Sequence, residues 1–105
     1  MMKEIKYLEI MYKDDYYPTF LVDKIKELLE DVVQYLAQNS HSLEAIQDRF
    51  DEMTLAINDL EDEFYKHNSE IETVARDSIA ETVIDILQVF NIAIDVEEAL
   101  REREW

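Results

Sequence analysis

Glu72 and Arg76 are the residues whose types and spacing most suggest chemistry, because they are charged and lie in a largely apolar stretch. If residues 69–90 form a helix, then at about 100° per residue both side chains point to the same side as Ile79 and Val83. The acid comes four residues before the base, which is the favourable order for an ion pair within a helix. Charges on a core-facing surface are costly unless they are paired and hydrogen-bonded. We therefore expect either a partly buried salt bridge, whose disruption by Arg76→Ala costs several kcal/mol, or a polar cleft open to a ligand or partner.

A cluster of tyrosines, Tyr12, Tyr16 and Tyr17, comes just before the sole proline of the chain. Tyrosine has an apolar ring and a polar tip, so such clusters occur both at binding surfaces and as lids over a core. We expect mainly a lid, with Tyr16 or Tyr17 capping the pair of Glu72 and Arg76. The candidate binding residues are Tyr16, Tyr17, Glu72 and Arg76.

Pairs of carboxylates at helical spacing raise the hypothesis of a metal-dependent enzyme. All-α nucleotide pyrophosphatases hold magnesium with such pairs, because a hard cation takes converging carboxylate oxygens. The pairs in this chain are Glu27 with Glu30, Asp48 with Asp51, and Asp59 with Asp62. Helical geometry places them opposite the apolar faces, on the outer sides of different helices. We therefore expect solvated faces and no metal site.

The two histidines, His41 and His67, lie at predicted helix ends. His67 near a helix C-terminus gains from the helix dipole when it is protonated, and Glu63 four residues earlier makes a local pair feasible. No serine or lysine falls in an arrangement that the sequence identifies as a catalytic triad. No catalytic residue and no cofactor is therefore predicted.

The composition limits the fold class and the compartment. The 105 residues are 48% apolar and 34% charged, which suits one folded domain spanning residues 1–105. Glycine is absent, which disfavours tight β-hairpins because they commonly need it to reach positive φ. Cysteine is absent too, so disulfides and zinc–thiolate sites are excluded. With no secretory signal and no apolar stretch long enough to span a bilayer, we expect a cytoplasmic protein.

The formal net charge of −16 restricts the partners. A field of this sign repels nucleic acid phosphates and anionic membrane surfaces, so neither is an expected partner. A macromolecular partner is instead expected to be a neutral or basic protein. The alternative is that the acidity only keeps a small protein soluble and monomeric.

Hydrophobic periodicity predicts an all-α fold, a compact bundle of about four amphipathic helices with short helices at both ends. The predicted helices run from Lys3 to about Tyr12, from about Thr19 to Gln38, from Ser40 or Ser42 to about His67, from Ser69 to about Phe90, and from Asp95 through Arg103. The helix at about 69–90 is apolar around more than half of its circumference, so we expect it to be central.

Helix caps and a heptad pattern support these boundaries. Ser69 with Glu72, and Asp95 with Glu98, have the spacing of capping boxes. Asn91 is a suitable left-handed terminator of the central helix. Apolar residues of the third helix recur at heptad spacing, which is typical of two long helices packed at a shallow angle. These residues are Ile46, Phe50, Met53, Ile57, Leu60 and Phe64.

Several motifs resemble those of a bacterial family of small acidic helical proteins. They are residues 14–18 (DDYYP) with 20–24, residues 58–60 with 63–64, residues 69–77 (SEIETVARD), and the tail at 95–98 and 103–105. The resemblance is to a domain-of-unknown-function family, numbered 5713, and covers nearly the whole chain. It implies a bacterial, cytoplasmic setting and supplies no activity, cofactor or catalytic residue. Asn91 stands where the family pattern has a glycine, a mild departure because asparagine tolerates the same conformation.

The function favoured by these observations is a non-enzymatic protein-binding module. Within that class, an immunity-like inhibitor of a basic partner fits the size and the charge. The alternative is a small-ligand binder or a metal-dependent enzyme with a cleft around Glu72 and Arg76. The oligomeric state stays open between a monomer and a homodimer.

Overall fold

The computed structural model describes residues 4–105, and within that range its regular structure is entirely helical. The helices are α1 (Glu9–Lys13), α2 (Thr19–Gln38), α3 (Leu43–Lys66), α4 (Thr73–Val89) and α5 (Val96–Ala99). The Cα radius of gyration of 13.4 Å is that of a compact chain of this length. The predicted all-α bundle with short helices at both ends is confirmed.

Helices α2 and α3 form an antiparallel hairpin whose boundaries are set locally. Pro18 precedes α2 as its N-cap residue, and its carbonyl accepts from Leu21 and Val22. Thr19, the predicted N-cap, is therefore the first helical residue instead. At the start of α3, the Ser42 hydroxyl accepts from the Ala45 amide at 3.1 Å. The predicted end of α2 and the predicted cap of α3 are confirmed.

The predicted heptad positions of α3 face the core. All of them are buried except Leu60, which is half-buried. They pack against the apolar face of α2, and burial of each such side chain contributes roughly 1.5–3 kcal/mol relative to exposure. The buried members are Ile46, Phe50, Met53, Ile57 and Phe64.

Helix α4 packs against α1, α2 and α5, in agreement with its predicted central position. It starts at Thr73, however, and the predicted capping box of Ser69 and Glu72 is wrong. The reason lies in α3, whose last turn is closed by a backbone reversal in which Asn68 is left-handed (φ 58°) and the Ser69 amide donates to the Phe64 carbonyl. Residues 69–72 consequently leave the reversal without helical structure.

The N-terminal segment is mostly not helical. The predicted helix start at Lys3 lies outside the described residues, and α1 covers only Glu9–Lys13. Ahead of it, Leu8 is left-handed (φ 55°), which costs about 1 kcal/mol for a residue with a Cβ. Its amide donates to the Thr82 hydroxyl of α4 at 3.1 Å, and that hydroxyl donates to the Lys6 carbonyl at 2.8 Å. Hydrogen bonds to α4 thus take the place of those of a longer helix.

The C-terminal tail packs across α3. Asp95 caps α5 through a hydrogen bond from the Glu98 amide, as predicted, but α5 ends at Ala99 instead of reaching Arg103. The tail beyond it is fixed by Asn58 of α3, whose side chain donates to the Glu102 carbonyl and accepts from the Glu104 amide. Leu100 and Trp105 are buried at either end of this contact.

Candidate binding surface

The α1–α2 link and the α3–α4 link meet at one end of the bundle, where Tyr17 joins them. The Tyr17 hydroxyl donates to a carboxylate oxygen of Glu72 at 2.9 Å. The ring of Tyr16 packs edge-on against that of Tyr17, with 5.1 Å between the ring centroids. Three of the four predicted binding residues are therefore adjacent in space.

Glu72 and Arg76 do not face the core, so the expected partly buried salt bridge is wrong. Both residues are exposed, and no ion pair connects them. Because α4 starts at Thr73, Glu72 is its extended N-cap residue and does not follow the helical phase on which the expectation rested. The Arg76 guanidinium instead donates to the Thr73 hydroxyl at 3.1 Å. Ala75 and Ile79 fill the core side of this part of α4.

Tyr17 and Tyr16 differ in exposure, so one forms a lid over the core and the other forms part of the surface. Tyr17 is 3% exposed and covers the core, as a lid does, while Tyr16 is 42% exposed. Burial, followed by the hydrogen bond to Glu72, raises the pKa of the Tyr17 phenol above its usual value near 10. Partial desolvation and the carboxylates of Glu70 and Glu72 raise the pKa of Tyr16 in the same direction. Both rings are therefore neutral at physiological pH.

A further aromatic residue, Phe20, is exposed at the same end. It is 47% exposed, and its ring packs edge-on against the His67 imidazole at a centroid distance of 5.0 Å. Phe20 was not among the predicted binding residues, although the sequence held a signal. It lies on the side of α2 that carries Lys24, Glu27 and Asp31, where an apolar residue is out of place. We call the surface formed by Tyr16, Tyr17, Phe20 and His67 the aromatic end.

Carboxylates surround the aromatic end. Asp14 accepts from the Tyr16 amide at 3.0 Å, and its charge, with those of Glu70 and Glu72, acts on the Tyr16 hydroxyl. Nearby, Lys24 pairs with Glu63 at 3.2 Å, which neutralises one acid of α3. The aromatic rings are thus presented in a locally negative potential.

The carboxylate pairs that were considered as metal ligands and the two histidines have local partners or face solvent. Among residues 4–105 no cluster of three His, Asp or Glu side chains could hold a metal ion. Asp51 is paired with Arg101 at 2.7 Å. The Nε2 atom of His41 contacts the Tyr35 carbonyl at 2.9 Å, and the Nδ1 atom of His67 contacts the Glu63 carbonyl at 2.9 Å. In residues 4–105, neither histidine ring is hydrogen-bonded to a hydroxyl group.

Three cavities of about 300 Å³ or more lie away from Glu72 and Arg76. The first, of about 530 Å³, lies between residues 6–10 and α4, and the second, of about 400 Å³, lies between α3 and Glu104. The third, of about 300 Å³, lies where α2 and α4 end. The candidate binding residues line none of these three, so the geometry of the aromatic end suits a surface contact. In the described part of the chain, no helix combines the length and the apolar character needed to cross a bilayer.

Comparison with known proteins agrees with the resemblance inferred from the motifs. No curated protein and no solved structure matches the chain significantly. A family model described as a family of unknown function (DUF5713) matches residues 1–105. The chain therefore belongs to the DUF5713 family of unknown function.

Proposed function

We propose that the protein is a non-enzymatic protein-binding module and that its aromatic end contacts a basic or neutral protein. The observation that carries the proposal is the exposure of two uncharged aromatic rings, Tyr16 and Phe20, at one end of the bundle, where the carboxylates of Glu70 and Glu72 act on Tyr16. Large aromatic side chains supply much of the binding energy in protein interfaces. Aromatic faces beside carboxylates also suit lysine and arginine, which gain from the ring and from the charge.

The shape of this end supports an interface more than an enclosed site. Tyr17 fills the space beneath Tyr16 and is fixed by its bond to Glu72, so the surface is rigid before binding. A rigid aromatic surface loses little conformational entropy on association. A preformed surface of this kind fits a folded partner.

The overall charge supports the choice of partner. A net charge of −16 attracts a basic protein over long distances and raises its association rate at low salt. Within this class, the finer proposal is an immunity-like inhibitor that covers a basic toxin in the bacterial cytoplasm. Size and charge are what support that finer proposal.

The first experiment is co-purification of the tagged full-length protein from its native lysate at about 0.3 M salt, where the screening length is well under 10 Å. We expect one stoichiometric partner to survive the wash. Its affinity is then measured by calorimetry for the wild type and for matched variants. A folded wild-type protein that retains no partner contradicts the proposal.

The matched variants separate the aromatic end from general surface effects. Phe20→Ser and Leu55→Ser remove equally exposed apolar side chains (47% and 48%) from different parts of the surface. Glu70→Lys and Glu44→Lys change the net charge equally, and both residues are exposed. We expect the first member of each pair to weaken binding by tenfold or more, roughly 1.4 kcal/mol, and the second to have little effect. Equal effects within each pair would place the interface elsewhere.

A further inference from the structure

Residues 96–105 contact α3 in the way that a bound peptide contacts a groove. The side-chain amide of Asn58 donates to the Glu102 carbonyl at 2.8 Å and accepts from the Glu104 amide at 3.1 Å. Earlier in α3, the side chain of Gln47 donates to a carbonyl of α5 at 2.8 Å. These bonds reach the main chain of the segment, so they do not depend on which side chains the segment carries. We call this segment the tail and the surface of α3 beneath it the tail groove.

The side chains of the tail give the contact its dependence on sequence. Leu100 and Trp105 are buried, with exposed fractions of 1% and 9%. Between them, the Arg101 guanidinium donates to both carboxylate oxygens of Asp51, at 3.1 and 2.7 Å. A peptide from another protein would therefore need two apolar side chains and a basic one at the same spacing.

Trp105 fits the tail groove imperfectly. Its Nε1–H group is enclosed together with the ring and has no hydrogen-bond acceptor among residues 4–105. A buried donor without an acceptor opposes the docking of the segment that carries it, because the group gives up its hydrogen bond to water. Phenylalanine at this position would keep a buried aromatic ring and has no N–H group in its side chain to satisfy.

Glu104 is placed among like charges. It lines a cleft of about 400 Å³ together with three carboxylates of α3, those of Asp59, Glu61 and Asp62, and no basic residue of the described chain lines this cleft. Burial, followed by the charges of Glu104 and Asp62, raises the pKa of Glu61. A lysine or arginine in place of Glu104 would turn this repulsion into attraction.

We propose that the tail groove binds a linear segment of a partner protein in which a lysine or arginine followed by phenylalanine takes the places of Glu104 and Trp105. The tail covers the groove until such a segment displaces it. A segment that fits its own surroundings imperfectly is expected at a functional site more than in a part of the chain that only maintains the fold. The tail groove shares no residue with the aromatic end and does not depend on the proposed function.

The test uses the full-length protein and two peptides that contain no tryptophan. The probe peptide is residues 95–105 with Glu104→Lys and Trp105→Phe, and the comparison peptide carries only Trp105→Phe. Emission then comes from Trp105 of the protein, its sole tryptophan, and moves to the red when the tail is displaced into water. We expect the probe peptide to cause a saturable red shift with an apparent Kd of about 1 mM or below, and the comparison peptide to bind at least about fivefold more weakly.

Three results would contradict this expectation. Equal binding of the two peptides would overturn the basic ligand class. No red shift at about 5 mM probe peptide would overturn displacement of the tail. The probe peptide with Leu100→Ser should cause no shift, and an unchanged shift with it would mean that the probe peptide binds outside the tail groove.

Two variants of the protein test whether the tail and the probe peptide compete. Arg101→Ala removes the ion pair between the tail and Asp51 and leaves every buried side chain in place, whereas Arg49→Ala removes a comparable pair with Glu52 elsewhere on α3. The apparent Kd of the probe peptide depends on the fraction of molecules whose tail is open. We expect Arg101→Ala to bind it about threefold more tightly than the wild type, and Arg49→Ala to differ from the wild type by less than about 1.5-fold. Equal affinities in the two variants would contradict competition with the tail.

A second pair of variants tests the charge mismatch at Glu104. Glu104→Lys in the full-length protein improves the fit of the tail to its own groove, and Glu44→Lys makes the same change of charge at an exposed position near the start of α3. We expect Glu104→Lys to weaken binding of the probe peptide about threefold more than Glu44→Lys does. Equal effects would mean that only the net charge matters, and the proposed ligand class would be wrong.

Discussion

Thr82 is a buried hydroxyl that connects two distant parts of the chain, and Thr82→Val tests its contribution to stability. The substitution keeps the shape of the side chain and removes only the polar group. Thr82 is fully buried in α4, where its hydroxyl accepts from the Leu8 amide and donates to the Lys6 carbonyl. These residues are more than 70 positions away in the sequence. Loss of the hydroxyl removes both connections at once.

The expected cost follows from the surroundings of each partner. Leu8 is fully buried, so its amide finds no water when Thr82 is lost, and a stranded buried donor costs about 1–3 kcal/mol. Lys6 is exposed, so its carbonyl can be hydrated and adds little. The left-handed Leu8 has strained backbone dihedrals that this hydrogen bond helps to hold. We expect a loss of about 2 kcal/mol, or roughly 10 °C in Tm.

Thr54→Val is the matched control for Thr82→Val. Thr54 is equally buried, but its hydroxyl donates at 2.7 Å to the Phe50 carbonyl, one turn earlier in the same helix. The Phe50 carbonyl already accepts a helical N–H, so Thr54→Val leaves no buried polar group unpaired. We therefore expect the free energy of unfolding to change by no more than about 0.5 kcal/mol. Urea unfolding followed by the fluorescence of Trp105, the sole tryptophan, and by circular dichroism gives both values. Losses that agree within about 0.5 kcal/mol would refute the argument from Thr82.

Three further predictions concern the aromatic end and the tail. Arg76→Ala should change the free energy of unfolding by no more than about 0.5 kcal/mol in urea, because the guanidinium is exposed and has no carboxylate partner. Tyr17→Phe should cost about 1 kcal/mol at neutral pH through loss of the bond to Glu72. Because the pKa of Tyr17 is raised in the folded state, its hydroxyl stabilises the fold fully below about pH 10, and this stabilisation is lost as the pH rises further. The free energy of unfolding should therefore fall less for Tyr17→Phe than for the wild type between about pH 9 and 11. Asn58→Ala should cost about 1–2 kcal/mol and shift Trp105 emission to the red, because the tail loses the two hydrogen bonds nearest to Trp105, while the Arg101–Asp51 pair remains.

For each of these three predictions, a specific result would contradict the reasoning. A loss of several kcal/mol in Arg76→Ala would restore the buried ion pair that the sequence suggested. For Tyr17→Phe, an alkaline stability profile parallel to that of the wild type would mean that this phenol does not couple to folding. An unchanged emission maximum in Asn58→Ala would show that Trp105 is held by its apolar contacts alone.

The candidate site was predictable from the sequence only in part. Tyr16 and Tyr17 were identified because they cluster just before Pro18, and Glu72 was identified because it is a charged residue in a largely apolar stretch. Arg76 has nearly the helical phase of the buried Val83, but it lies in the first turn of α4, where that side of the helix is exposed. Periodicity gives the direction of a side chain around the helix axis, whereas the packing of other segments decides whether that side is covered at a given turn.

The long helices were determined by the sequence itself. The span of α2 and the start of α3 follow from Pro18, from the Ser42 cap and from apolar periodicity, all of which act between residues no more than a few positions apart. The same holds for the Asp95 cap of α5. Such short-range interactions leave a pattern in the order of residues, so it can be read without a structure.

Only the tertiary structure decided how the remaining segments were fixed. The N-terminal segment is held by Thr82 and the tail by Asn58, through partners 44 to 76 positions away. The surface at the aromatic end likewise exists because Tyr17 meets Glu72, 55 positions later. A single hydrogen bond between distant residues leaves no periodic trace in the sequence. Its formation depends on the packing of the long helices, which brings the two groups within reach.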